Sequence, residues 1–274
     1  MAAGSDLTRA VFFNTEDYVK ARRKPGGGFG ATPKLPATVE DTYHSLRIIS
    51  SISPLIQTDF SKEIRRRPEL SSFLSRFLEK DLELGPRGIF QLLWCMKYCN
   101  IPPEEGRIAD ILSRYFFHNL KRENLYFALR IILEIQDIAR LTEIPEPLKR
   151  AGLRNPFSGI LKRRMMSIYL DRNLNWCRIP RRDAAGWFSA CQNPDGGFGF
   201  MPGTTSYIEN CHYGLSSLML LDAEPADARA CWNFIMGCRT ISGGFSRNSS
   251  AAPFLDATWH AVKSLLILYG KTRS

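Results

Sequence analysis

Three stretches of this chain repeat one another without a gap. Gly27-Gly28-Phe29, Gly196-Gly197-Phe198 and Gly243-Gly244-Phe245 each open a segment in which the same residue types return at the same distances from the phenylalanine. Eleven residues on stands an acid (Glu40, Glu209, Asp256), and thirteen on a small polar residue (Thr42, Cys211, Thr258). Fourteen on comes a ring (Tyr43, His212, Trp259), fifteen on another (His44, Tyr213, His260), and seventeen on an aliphatic residue (Leu46, Leu215, Val262). A register held across three copies marks a repeat architecture, in which no unit buries its apolar face alone and neighbours must stack.

Each copy has a physical reading. The glycine pair predicts a helix end and a turn through positive φ, where a side chain is strained. The phenylalanine predicts a plug between helix layers. A loop bearing Pro33 and Pro36, Pro202, or Pro253 follows, and then the acid, placed at a helix start where the dipole favours negative charge. The helices that come next, over 43–52, 211–221 and 259–268, are apolar nearly all round, as a doubly buried helix must be. The segments before the second and third glycine pairs, 181–192 and 225–238, are amphipathic. Pro225 suits a helix start, and Asp227 and Arg229 mark a wet face. Each unit is thus an outer amphipathic helix, a Gly-Gly-Phe turn and an inner apolar helix, with no strand-like alternation of useful length.

Spacing sets the number of units. Phe198 and Phe245 are 47 residues apart, and Phe29 and Phe198 are 169 apart, which is about four units of about 42. Three cryptic units are therefore expected between the first and second clear copies. Their inner helices are expected at 89–99, 125–138 and 160–170, and outer helices at 62–80 and 108–120. Pro145, Pro147, Pro156 and Gly159 make the fourth unit the least regular. The expectation is one domain over 1–274, with clear repeats near 24–52, 188–222 and 236–270 and degenerate ones between 60 and 175.

Composition excludes several classes. Hydrophobic residues make up 44%, with 17 Phe, 9 Tyr and 5 Trp, enough for a sizeable core. The formal charge is +10, and basic residues come in short runs: Arg22-Arg23-Lys24, Arg65-Arg66-Arg67, Lys162-Arg163-Arg164 and Arg181-Arg182. Such a surface attracts phosphates, in a diphosphate ligand or in anionic membrane headgroups. No nucleic-acid motif accompanies the runs, so nucleic acid is not an expected partner. The seven cysteines are odd in number and lack a Cys-x-x-Cys pair, which argues against a disulfide framework. No basic-then-apolar leader opens the sequence, and no stretch approaches the roughly 18 apolar residues of a membrane span. A cytoplasmic setting is the expectation.

The run Gln192-Asn193-Pro194-Asp195-Gly196-Gly197-Phe198-Gly199, followed by Pro202-Gly203, an acid and an apolar helix, closely resembles the repeat of protein prenyltransferase β subunits. It is also similar to the Gln-x3-Gly-x-Trp/Phe motif of squalene–hopene and oxidosqualene cyclases. The resemblance is specific in three of the six units. It implies an all-α fold, an α/α toroid whose inner helices surround an aromatic-lined cavity for an isoprenoid chain. A closed ring would make the last unit a neighbour of the first.

The same resemblance implies chemistry. Protein prenyltransferases hold zinc with Asp-x-Cys in one unit and a His in a later one, and use it to make a substrate thiolate. Glu209-Asn210-Cys211 has that shape with Glu for Asp, and His212 or His260 is the candidate third ligand, so zinc is a candidate cofactor. Residues two apart on a regular helix point about 200° apart. Glu209 and Cys211 therefore converge only if Glu209 lies at or before the cap; otherwise Cys211 is a small buried residue. Candidate ligand-binding residues are Glu40, Tyr43, His44, Trp94, Tyr98, Tyr126, Tyr213, Asp256 and Trp259, and candidate diphosphate holders are Arg87, Arg122 and Arg163. Packing explains many of the rings equally well. The Asp-x-Asp-Asp run of the cyclases and the Asp-Asp-x-x-Asp run of chain-elongating enzymes are absent. Three functions stay open: a prenyltransferase-like enzyme, a non-catalytic isoprenoid- or lipid-binding toroid, and a protein-interaction scaffold. Protein prenyltransferases also work with a helical α subunit, which this chain lacks.

Overall fold

The computed structural model describes residues 2–79, 84–103, 106–114, 121–139, 146–150, 157–176 and 178–271. Among them the secondary structure is helical, with isolated β-bridges and no strand. They divide into two compact units, Met1–Gly152 and Leu153–Ser274.

The first unit contains α1 (Ala2–Lys20), α2 (Val39–Ile56), α3 (Phe60–Arg65), α4 (Pro68–Glu79), α5 (Pro86–Tyr98), α6 (Arg107–Leu112), α7 (Arg122–Ala139) and α8 (Glu146–Arg150). Helices α2, α5 and α7 pack in a row, backed in turn by α1, α4 and α6. The second unit contains α9 (Leu161–Asn173), α10 (Arg181–Ala190), α11 (Ile208–Leu220), α12 (Ala228–Gly237) and α13 (Leu255–Lys271). Here α11 packs between α9 and α13, with α10 against α11 and α12 against α13. The six inner helices foreseen from the spacing are α2, α5, α7, α9, α11 and α13.

The outer helices depart from expectation in instructive ways. The helix expected at 62–80 is two, α3 and α4, because Pro68 disfavours helical backbone in the residue before it. Helix α12 starts at Ala228, three residues late, because Asp227 caps it by accepting the N–H of Ala230 at 2.8 Å. Of the helix expected at 108–120, α6 covers the beginning, and 115–120 lie outside the described residues. Helix α1 was not foreseen, although Val11, Phe12, Thr15, Tyr18 and Val19, all buried, have helical spacing.

The glycine turn is fixed by a close approach. Gly196 has φ +86°, and a Cβ there would lie 2.1 Å from the carbonyl oxygen of Ala230 on α12. Gly27 has φ +90° and would meet the Glu69 oxygen on α4 at 2.0 Å. Each turn thus lies directly on the next outer helix, a fit only glycine allows. The phenylalanines that follow, Phe29, Phe198 and Phe245, are all fully buried. No described helix is long and apolar enough to cross a membrane.

Candidate ligand-binding site

The residue thirteen after each motif phenylalanine has a shared task. Thr42 Oγ1 accepts the N–H of Phe29 at 3.0 Å, and Thr258 Oγ1 accepts that of Phe245 at 2.9 Å. The Cys211 sulfur takes the N–H of Phe198 and also meets the Cys231 thiol on α12. Burial, and then the Cys231 hydrogen bond, push the Cys211 thiol well above its ordinary range, so it is not a thiolate at neutral pH. Burial likewise raises Cys99 and Cys191 to about 12 and Cys238 to about 11. The described cysteines are free, and Cys177 lies outside the described residues.

This placement explains why the expected zinc donors do not converge. The cap of α11 is Tyr207, so Glu209 and Cys211 both lie inside the helix and point apart. Cys211 turns toward α12, while Glu209 pairs with Arg247, whose Nε lies 2.9 Å from Oε1. Glu209 Oε2 has no hydrogen-bond partner among the described residues, yet among them no three His, Cys, Asp or Glu side chains form a metal-holding group. As arranged, the residues do not fit a zinc ion.

The two histidines do meet. His212 Nδ1 on α11 and His260 Nδ1 on α13 are 2.8 Å apart, so one ring donates a proton that the other accepts. Trp259 stands edge-on to His212 at 4.7 Å, and Tyr213 edge-on to His260 at 5.0 Å. Asp256 is exposed in the first turn of α13, where Oδ1 accepts the N–H of Ala257. Arg163 is exposed in the first turn of α9.

In the first unit the inner helices build an aromatic wall. Tyr43 on α2 lies edge-on to Phe90 and Trp94 on α5, at 5.9 and 5.5 Å. Trp94 stacks on Tyr98 at 5.3 Å, and the Tyr98 hydroxyl reaches Ser61 Oγ at 2.7 Å. Phe90 meets Phe127 on α7, beside Tyr126. His44 is buried next to Tyr43. Arg87 forms an exposed ion pair with Glu40 at 2.6 Å, and Arg122 opens α7 half-buried.

Sequence reasoning missed the charges set into this wall. The Arg47 guanidinium lies 4.7 Å from the Trp94 ring centre, and that of Arg130 lies 4.1 Å from Phe90. Both reach Glu134: Arg130 Nη2 at 3.0 Å and Arg47 Nη1 at 3.5 Å. The Arg130, Arg47 and Glu134 side chains keep 12%, 17% and 27% of their exposure. Lys97 Nζ donates to the Glu134 carbonyl at 2.8 Å. Burial alone would raise the Glu134 carboxyl, but Arg130 and Arg47 outweigh it and hold it below its ordinary range. Burial would lower the Arg130 guanidinium, yet Tyr126 and Glu134 outweigh it and keep Arg130 charged. The available signal was a set of charges inside apolar helix runs, Arg47 before Ile48-Ile49 and Arg130 with Glu134 around Ile131-Ile132-Leu133.

None of the curated proteins compared matches this chain. A family profile, the prenyltransferase alpha-alpha toroid domain, matches residues 6–96 and 165–274, which hold all three motif copies, helices α2, α11 and α13, and α5 as far as residue 96. With these helices and turns in place, the chain belongs to the prenyltransferase alpha-alpha toroid domain family.

Proposed function

We propose that this protein is a prenyltransferase-like binder of an isoprenoid carrying an anionic, diphosphate-type head. The rings of Tyr43, Trp94 and Tyr126 run along the chain, and Arg47 and Arg130 meet the head. The observation that supports this is the make-up of the wall: the Arg47 and Arg130 guanidiniums lie over aromatic rings, with little exposure and beside Glu134. Flat π faces suit polyene chains and allylic cations. Guanidiniums suit phosphate oxygens, which they grip through two donors at once.

Transfer of the isoprenyl group is the finer form of this reading. A lone pair of an acceptor's nucleophilic atom bonds the allylic carbon, the allylic C–O bond breaks and its electron pair leaves with the diphosphate, and the acceptor's proton passes to solvent. Guanidiniums meet the negative charge growing on the departing oxygens, and π faces meet the positive charge on carbon. No step of it is routed through zinc, since the described donors do not converge. A binding protein without transfer is the second reading, favoured by the burial of Cys211, which keeps its thiol protonated and turned toward α12.

Tryptophan fluorescence on titration with farnesyl diphosphate, with farnesol alongside, tests the proposal. Saturable quenching is expected from both, with the diphosphate tighter by about tenfold or more, in keeping with charge-assisted hydrogen bonds. Equal affinity for the two ligands would remove the head-binding role of the arginines.

A further inference from the structure

The starts of the second unit's inner helices are tied into one rim. The Leu161 N–H at the head of α9 donates to the Phe200 carbonyl at 2.8 Å, and the Ile208 N–H at the head of α11 donates to the Arg247 carbonyl at 3.0 Å. Phe254, just before α13, stands in the same register as Tyr207 before α11: each donates its N–H to the motif phenylalanine nine residues earlier. Phe200 stacks on Tyr207 at 5.7 Å.

This rim is apolar and open. Ile160, Phe200, Met201 and Phe254 keep 43%, 37%, 46% and 44% of their exposure. Single exposed apolar residues are ordinary, but a set gathered along hydrogen-bonded helix starts is a patch that some surface covers. Positive charge flanks it. Arg163 is exposed in the first turn of α9, beside Lys162. Glu209 at the start of α11 pairs with Arg247, and Asp256 is exposed at the start of α13. The chain as a whole carries +10.

We infer that this rim docks on an anionic bilayer, with Ile160, Phe200, Met201 and Phe254 entering the headgroup boundary and Arg163 facing lipid phosphates. Large apolar side chains flanked by a basic residue are the composition of an interfacial contact, and each basic residue near such a surface adds to the attraction. The inference stands on the second unit alone and does not depend on the ligand proposed for the first.

Co-sedimentation of the full chain with vesicles tests it, using phosphatidylcholine alone and phosphatidylcholine mixed with phosphatidylserine. Binding is expected only to the mixed vesicles and should weaken as salt rises. Arg163→Glu should weaken it about fivefold or more. Phe200→Ser with Met201→Ser should weaken it at every salt concentration. Thermal melts of these surface variants should match the wild type, which separates lost docking from lost folding. Equal binding to both vesicle types, or variants that bind like the wild type, would overturn the inference. So would a patch that instead joins two copies, seen as self-association that Phe200→Ser abolishes while vesicles are ignored.

Discussion

Thr258 Oγ1 accepts the backbone N–H of Phe245 at 2.9 Å, and Cys211 stands in the same relation to Phe198. The column that looks like a metal ligand in one repeat is therefore the acceptor that ties each inner helix to its motif turn. Cys211→Ala leaves the buried Phe198 N–H without an acceptor and is expected to cost about 1–3 kcal/mol. Cys211→Thr, which copies the other two repeats, is expected to cost less than Cys211→Ala. Urea unfolding midpoints compare them. Elemental analysis is expected to give no stoichiometric zinc; one zinc per chain, lost in Cys211→Ala, would restore the zinc reading.

Gly196 lies at φ +86° with its α-carbon against the Ala230 carbonyl. Gly196→Ala brings both backbone strain and a clash that α12 must yield to, and a loss of at least about 1 kcal/mol is expected. Gly186, around which a Cβ would meet nothing within 4 Å, is the control, and Gly186→Ala on α10 should be neutral or stabilising. Thermal melting of the two variants decides the point.

The repeat made the scaffold legible and left the charges obscure. Six inner helices follow from the spacing of Phe29, Phe198 and Phe245, because the turn chemistry and an apolar inner face leave little choice. The direction of a side chain on a helix is not carried by a column of residue types. Cys211 and His212, adjacent in sequence, point to different neighbours, one to α12 and the other to α13. Arg130 and Glu134 are separated by one helical turn, a spacing that reads as an ordinary surface pair until the apolar run around it is weighed.

Glu134 couples stability to pH. Arg130, with Arg47, lowers its carboxyl in the folded chain against the pull of burial, so the unfolded chain binds its proton more readily. The stabilisation is present above the ordinary value of 4.5 and is lost as pH falls through the lower folded value. Glu134→Gln removes the carboxylate that Arg130 and Arg47 both reach and is expected to cost about 3 kcal/mol at neutral pH. The gap between wild type and variant should narrow as pH drops below about 4.5, the ordinary carboxyl value. A gap constant with pH would mean that the carboxylate charge does not stabilise the wall.

Photolabelling maps the proposed ligand site most directly. A diazirine-bearing isoprenyl diphosphate, irradiated with the protein and traced by mass spectrometry of peptides, reports which residues line the bound chain. Labels are expected on the peptides holding Tyr43, Trp94 and Tyr126, reduced by excess farnesyl diphosphate and weakened in Arg47→Gln. Labelling that excess ligand does not reduce, or competed labels confined to other helices, would contradict an isoprenoid site on the aromatic and arginine wall of α2, α5 and α7.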